Sequence, residues 1–384
     1  VNDEYTKGFD GRWGAGLPGS GDMQMLFLQS AIDKMDDNFG RAAIIENGSP
    51  LFSGGTASGE SQVRRWMLEN DLIEAIIALP TDLFYNTGIA TYIWVLSKNK
   101  REERRGKIQL IDAGSIFHKL RKALGNKKNE ISPEDRSAIT KLYADFAENE
   151  LCKIYPNTEF IYREYTVMQP LQRSYAVTEE RIQAMLSKGS LSSLYDPAKV
   201  AELENSEEEL TGKELKKLEN YQNNAPVYKA IIELLRCADD DKVYLSPAEF
   251  MPVLTKILST ATTDKKLLDK IADGLSVMDK SAEIQRDKKG NIIYDKETKD
   301  TEIVKFDESI EDYMAREVLP HVPDAQWFFE EDLSKKSPVV KTGAEIPFTR
   351  YFYKYQQPKP SEELEQRFLE LEKSVSERIA RLFG

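Results

Sequence analysis

Two nearly continuous apolar runs of strand length, residues 72–79 (LIEAIIAL) and 89–96 (IATYIWVL), constrain this chain more than anything else in it. Runs that short and that apolar must be buried on both faces, as in a sheet covered by helices on either side. Residues 41–46 (RAAIIE) and 108–112 (IQLID) read as two further strands. Upstream, residues 22–35 place Met25, Leu28, Ile32 and Met35 on one helical face. Residues 61–69 carry Val63, Trp66 and Met67 as a second apolar stripe. Strands alternating with helices predict an α/β fold with a mostly parallel sheet, and the closely spaced later strands suggest an antiparallel finish. The pattern accounts for only about half of a doubly wound sheet.

Beyond Asp112 the pattern turns helical. Ser132-Pro133-Glu134-Asp135 has a capping residue, proline at the first helical position and an acid at the third. Thr211 with Glu214 and Ser246 with Glu249 repeat the arrangement. The charged run 202–218 reads as a solvated helix face or linker. Residues 285–295, with Lys288-Lys289-Gly290-Asn291 at the centre, read as a hairpin. In the last helix Leu364, Phe368, Leu371, Val375, Ile379 and Leu382 recur at spacings of three and four, a stripe suited to packing on a helix of a partner chain.

The 384 residues suggest two or three domains. Two cysteines far apart, Cys152 and Cys237, give neither a disulfide framework nor a cysteine zinc site and fit a reducing cytoplasm. His118 and His321 are the only histidines, which excludes an HExxH zinc site and most histidine triads within the chain. No apolar run is long enough to span a membrane, and no signal peptide opens the sequence. The net charge of −12 argues against coating nucleic acid over the whole surface but leaves room for a local basic face. The start at Val1, in a polar stretch, reads as the middle of a longer protein.

Several motifs fail their own chemistry. Gly14-Ala-Gly16-Leu-Pro-Gly19 matches GxGxxG by count, yet no apolar strand precedes it, so it reads as a surface loop. In Gly54-Gly-Thr-Ala-Ser-Gly59-Glu60-Ser61 a glutamate stands where a phosphate loop needs lysine. Asn47-Gly48-Ser49 follows a strand, either as a plain exit turn or as part of a ligand edge. The run Leu83-Phe84-Tyr85-Asn86-Thr87-Gly88 joins two apolar strands. Phe84 there either stacks on a flat ligand such as a nucleobase or plugs the end of the core. Lys98, Lys100, Arg101, Arg104 and Arg105, followed by Lys119, Arg121, Lys122, Lys127 and Lys128, concentrate positive charge beyond the sheet. The first group is the candidate for DNA phosphates; solvated loops are the alternative.

Leu79-Pro80 leading into Phe84-Tyr85-Asn86-Thr87-Gly88, then Leu110-Ile-Asp-Ala113, Ser132-Pro-Glu-Asp135, Glu159-Phe-Ile-Tyr-Arg163, Thr166-Val-Met-Gln-Pro-Leu171 and the tail blocks at 317–324 and 343–353 fall in a fixed order. In these blocks the chain resembles the modification subunit of type I restriction–modification systems, a family of adenine-specific DNA methyltransferases. The resemblance implies a Rossmann-like S-adenosylmethionine-dependent methyltransferase sheet followed by a mainly helical carboxyl-terminal region. It divides the chain into residues 1–115 (carboxyl-terminal half of the catalytic domain), 116–190 (a connecting segment with helix and strand) and 191–384 (mainly helical). It implies S-adenosylmethionine as methyl donor, and DNA, a specificity subunit and a restriction subunit as partners. Phe84 matches the aromatic that packs on the extruded adenine, and Phe27 matches a residue bordering the cofactor's adenine ring. The family also carries an upstream glycine loop and an Asn/Asp-Pro-Pro-Tyr/Phe tetrapeptide. This sequence contains no Pro-Pro, so the chain resembles the carboxyl-terminal portion of such an enzyme and is expected to be inactive alone. A non-catalytic assembly or DNA-binding module is the alternative.

Overall fold

The apolar runs build one mixed sheet. Its strands are among β1 (Arg41–Asn47), β2 (Ile73–Ala78), β3 (Thr91–Ser97), β4 (Lys107–Asp112), β5 (His118–Leu124), β6 (Lys127–Glu130) and β7 (Cys152–Pro156). Five of them lie in the order β1-β3-β2-β4-β7. β3 is antiparallel to both neighbours, with Ile93 opposite Ile45 on one side and Ile77 on the other. β2 and β4 are parallel, Ile76 pairing with Leu110, and β7 returns antiparallel to β4. The carboxyl ends of β1, β2 and β4 therefore share one edge with the start of β3. These coordinates, a computed structural model, describe residues 2–206, 211–238, 240–335, 337–355 and 360–383. Residues 207–210 of the charged run and the side chain of Leu382 lie outside them.

Neighbouring residues of a strand point to opposite faces, and the two faces have separate cores. Ile76, Trp94 and Leu110 pack under helices α1 (Gln24–Lys34) and α2 (Gly59–Glu69), against Met25, Leu28, Val63 and Met67. Ile77, Ile111 and Cys152 pack on the other face against Ile139 of helix α3 (Pro133–Asp145). β1 is only half covered: Ile45 is exposed, and the outer edge of the strand carries no partner strand among the described residues.

The chain forms two compact units, the first Val1–Glu164, Ile303–Glu308 and Glu331–Gly384, the second Tyr165–Glu302 and Ser309–Glu330. In the first, strand Thr342–Ala344 pairs with residues 161–163, Gly343 opposite Tyr162. Arg64 of α2 is fully buried and donates to the carbonyls of Ala344 (2.7 Å), Pro50 (3.1 Å) and Ser53 (2.7 Å). In the second, Arg173–Val177 lies between Asp240–Tyr244 and Ser276–Met278. Ile182, Ile231, Phe250, Leu254 and Ile271 close its core. Residues 285–295 form the expected hairpin, with Arg286 bridged to Ile292.

The helix starts are made as their sequences dictate. Ser132 and Asp135, and likewise Thr211 and Glu214, form reciprocal capping boxes, and Ser246 accepts from the Glu249 backbone. The chain after Asp112 departs from the helical expectation. Residues 118–130, which have no apolar alternation, form the β5–β6 hairpin before α3 begins.

Candidate functional site

The carboxyl edge of the sheet carries the loop between β2 and β3. Its base is closed by the Leu79 amide donating to the Thr91 carbonyl (2.9 Å). Asp82 adopts a left-handed conformation (φ 58°), which its short side chain tolerates. A Cβ on Gly88 would stand 2.5 Å from the Asp82 carboxylate, a contact that a shift of that side chain would relieve. Phe84 and Tyr85 project from the loop, both exposed and both outside the two cores. Phe84 does not plug the sheet.

The β5–β6 hairpin leans on this loop. The Asn126 amide donates to the Tyr85 carbonyl (2.9 Å), and the Lys128 and Asn129 amides donate to the Asp82 carbonyl (2.9 and 3.1 Å). The Asn129 side chain donates to the Thr81 carbonyl (2.9 Å). Lys127 Nζ lies 5.3 Å from the centre of the Tyr85 ring. At the turn Gly125 has φ 64°, and a Cβ there would meet the Tyr85 carbonyl oxygen at 2.7 Å. The chain reaches left-handed backbone where only glycine allows the contact.

Beside the loop, the end of β1 gathers polar groups around Asn47-Gly48-Ser49, of which Asp22, Gln24 and Glu46 were not singled out in the sequence. Gln24, at the start of α1, donates to the Asp22 carboxylate and accepts from the Asn47 amide (2.9 Å). Asn47 Oδ1 accepts from the Ser49 amide (2.8 Å), so Asn47-Gly48-Ser49 is a capped exit turn. Glu46 is buried, and burial together with the nearby Asp22 charge pushes its carboxyl up to about 7. A raised carboxyl favours folding in its protonated form, so the stability it contributes fades as pH climbs from the ordinary carboxylate range through about 7. Glu46→Gln is therefore expected to stabilise the protein at pH 8.5 by about 1–2 kcal/mol and to change little at pH 5. Thermal melts at the two pH values check this; an equal gain at both would count against it.

The first basic cluster lies at the opposite end of the strands and is largely spent on structure. Lys100 is buried and donates to Asp71 (2.5 Å) and to the Lys107 carbonyl (2.7 Å). Burial of its ammonium moves its pKa down. Arg104, also buried, lies between the rings of Tyr143 and Phe146 (4.4 and 4.3 Å) and donates to Gln109 (2.8 Å), with Glu74 at 3.6 Å. Lys98 binds the Met35 carbonyl and Asp37. Arg101 and Arg105 remain exposed. Six residues of β2 separate this cluster from Phe84, roughly 20 Å of extended chain. The structure does not bring the two together.

Phe27 is exposed on α1 while its neighbours Met25 and Leu28 are buried, so it is not a core residue. The glycine stretch at 14–19 is a loop held by Gln29, which donates to the Gly16 carbonyl (3.0 Å). Glu60 accepts from the Gly19 amide (2.7 Å), the reverse of a phosphate cradle.

Residues 2–181 match the family described as N-6 DNA Methylase. Among curated relatives, the MjaVIII methylase subunit of a type I restriction enzyme from Methanocaldococcus jannaschii is 35% identical over 128 residues, 33% of this chain and 21% of that protein. The HindI methylase subunit from Haemophilus influenzae is 36% identical over 107 residues, 28% of this chain and 23% of that protein. The chain thus spans about a fifth of the length of these relatives. A solved methyltransferase subunit of a type I restriction–modification system from Streptococcus thermophilus is 24% identical with a TM-score of 0.32, covering 36% of this chain and 27% of that one. The residues that match this family model include the whole Phe84 loop and the β5–β6 hairpin.

Proposed function

We propose that the chain works as part of a type I modification subunit, which transfers a methyl group from S-adenosylmethionine to the exocyclic amine of adenine in DNA. The exposed aromatic at the carboxyl edge of the family's sheet carries this reading. An amine inside a duplex is out of reach, so its base must leave the stack at a cost of a few kcal/mol. Phe84 offers a flat apolar surface that returns about 1–3 kcal/mol on packing against the extruded base. Phe27, solvent-facing on α1, is the residue here that would border the adenine of the methyl donor. When bound, S-adenosylmethionine supplies an electrophilic methyl group and needs no metal or histidine from the chain. Phe84 is solvent-exposed, so a base packed on it can release the displaced amine proton to water.

The test is transfer of labelled methyl groups to DNA by the complete natural gene product with its specificity partner. Phe84→Ala is expected to lower kcat/KM by roughly 5–150-fold, the rate equivalent of the lost stacking, and Phe84→Trp to retain most of it. Wild-type rates in Phe84→Ala would overturn the role. The alternative, an assembly or DNA-binding module without catalysis, draws on the lack of any Pro-Pro tetrapeptide in this sequence. It is favoured instead if the complete gene product binds DNA and partner yet transfers no methyl group.

A further inference from the structure

We propose that the β5–β6 hairpin grips the DNA backbone on either side of the adenine presented to Phe84, with Lys119, Arg121 and Lys122 as the phosphate contacts. This inference rests on the adenine-methylation reading and assigns the DNA contact to a different segment from the cluster at 98–105.

Residues 118–130 contain Lys119, Arg121, Lys122, Lys127 and Lys128 against a single acid, Glu130, in a chain whose net charge is −12. Lys119, Arg121, Lys122 and Lys128 are exposed. Among the described residues no carboxylate lies within ion-pair distance of Lys119, Arg121 or Lys122, whereas Lys100 and Arg104 are each buried beside an acid. A positive charge that no internal partner neutralises remains available to an external anion.

A lone two-stranded hairpin is marginal in water, and this one has no apolar face to bury. It is fixed instead by its bonds to the carbonyls of Thr81, Asp82 and Tyr85, which also fix the loop that carries Phe84. The cationic hairpin and the loop that carries the exposed aromatic are therefore joined by these hydrogen bonds. Nucleic-acid sites that handle unstacked bases combine these two elements: cations that follow the phosphates and a ring on which a base packs. Lys127, placed over Tyr85, couples the two halves of this site. Extruding a base bends the backbone around it, and cations held at a fixed distance from Phe84 would stabilise the bent phosphates.

The test is duplex binding by the complete gene product with its specificity partner, measured across salt from about 50 to 200 mM. Each lost phosphate contact should reduce the slope of log K against log salt by about 0.9. Lys119→Glu/Arg121→Glu/Lys122→Glu is expected to flatten the slope by about 2–3 and to weaken binding at least tenfold, with an unchanged melting temperature. An unchanged slope in the folded triple variant overturns the proposal. If the triple variant does not fold, Arg121→Gln and Lys122→Gln singly should each flatten the slope by about 1, and no change in either overturns it equally. Wild-type protein that binds DNA without methylating adenine would defeat the catalytic reading, while the slopes would still report on the hairpin.

Discussion

Arg64→Met is expected to destabilise the first unit by about 3–5 kcal/mol, measured as a lower urea midpoint with little change in slope. The guanidinium is fully buried and donates to three backbone carbonyls, from Ala344, Pro50 and Ser53. Burial moves its pKa down to about 10, so it stays charged at neutral pH. Methionine fills much the same volume but removes the donor from the Pro50 and Ser53 carbonyls and leaves Ala344 only the longer bond from Ser61 Oγ (3.4 Å), and each orphaned carbonyl costs about 1–3 kcal/mol. Removing the buried charge recovers part of this. Arg64→Lys keeps the charge but cannot reach three divergent carbonyls, so it should fall between wild type and Arg64→Met. A loss below about 1 kcal/mol in Arg64→Met would mean that the three carbonyls find water or other donors. Against a total stability of roughly 5–15 kcal/mol, the expected loss decides whether the unit is folded at growth temperature.

The second large effect concerns assembly. Leu364, Phe368, Leu371, Val375 and Ile379 along helix Ser361–Phe383 are all exposed, Leu371 at 63% and Phe368 at 69%. Their spacing is that of a helix that packs lengthwise on other helices. We propose that this stripe docks the specificity subunit that the family resemblance implies as a partner. Leu371→Asp with Val375→Asp should then weaken that association at least a hundredfold, because two apolar contacts are lost and two carboxylates would be buried without partners. Neither side chain is buried in this chain, so its melting temperature should stay the same. Co-purification with the specificity subunit at wild-type yield would reject the assignment.

What could be read from residues alone divides along physical lines. The strands of the sheet were legible because two-sided burial writes itself as an uninterrupted apolar run; Ile76 and Ile77 belong to different cores yet look alike in sequence. The caps at Ser132 and Thr211 were legible because both partners lie within three residues. The β5–β6 hairpin was not, since its fixing bonds run to Thr81, Asp82 and Tyr85, more than forty residues upstream by the Asn129 contact. The one local signal was the Gly125-Asn126 pair, a two-residue turn dipeptide set among lysines. Basic residues at 98–105 could not be sorted from sequence either. The acids that neutralise Lys100 and Arg104 are Asp71 and Glu74, on another strand and its approach. The raised carboxyl of Glu46 has the same origin, because it comes first from burial in the folded chain and then from the charge of Asp22, a helix away in sequence.

The bond from Arg64 to Ala344 joins residues 280 apart in the chain. During synthesis, α2 and the sheet beneath it emerge long before the strand that completes their packing. Closing a flexible loop of that length costs about 5 kcal/mol of chain entropy, which the early segment cannot recover by itself. Folding of the intervening unit shortens the free chain that must be closed. The inserted unit can therefore fold before the enclosing one, whose packing of Arg64 on Ala344 is completed only after residue 344 has been synthesised.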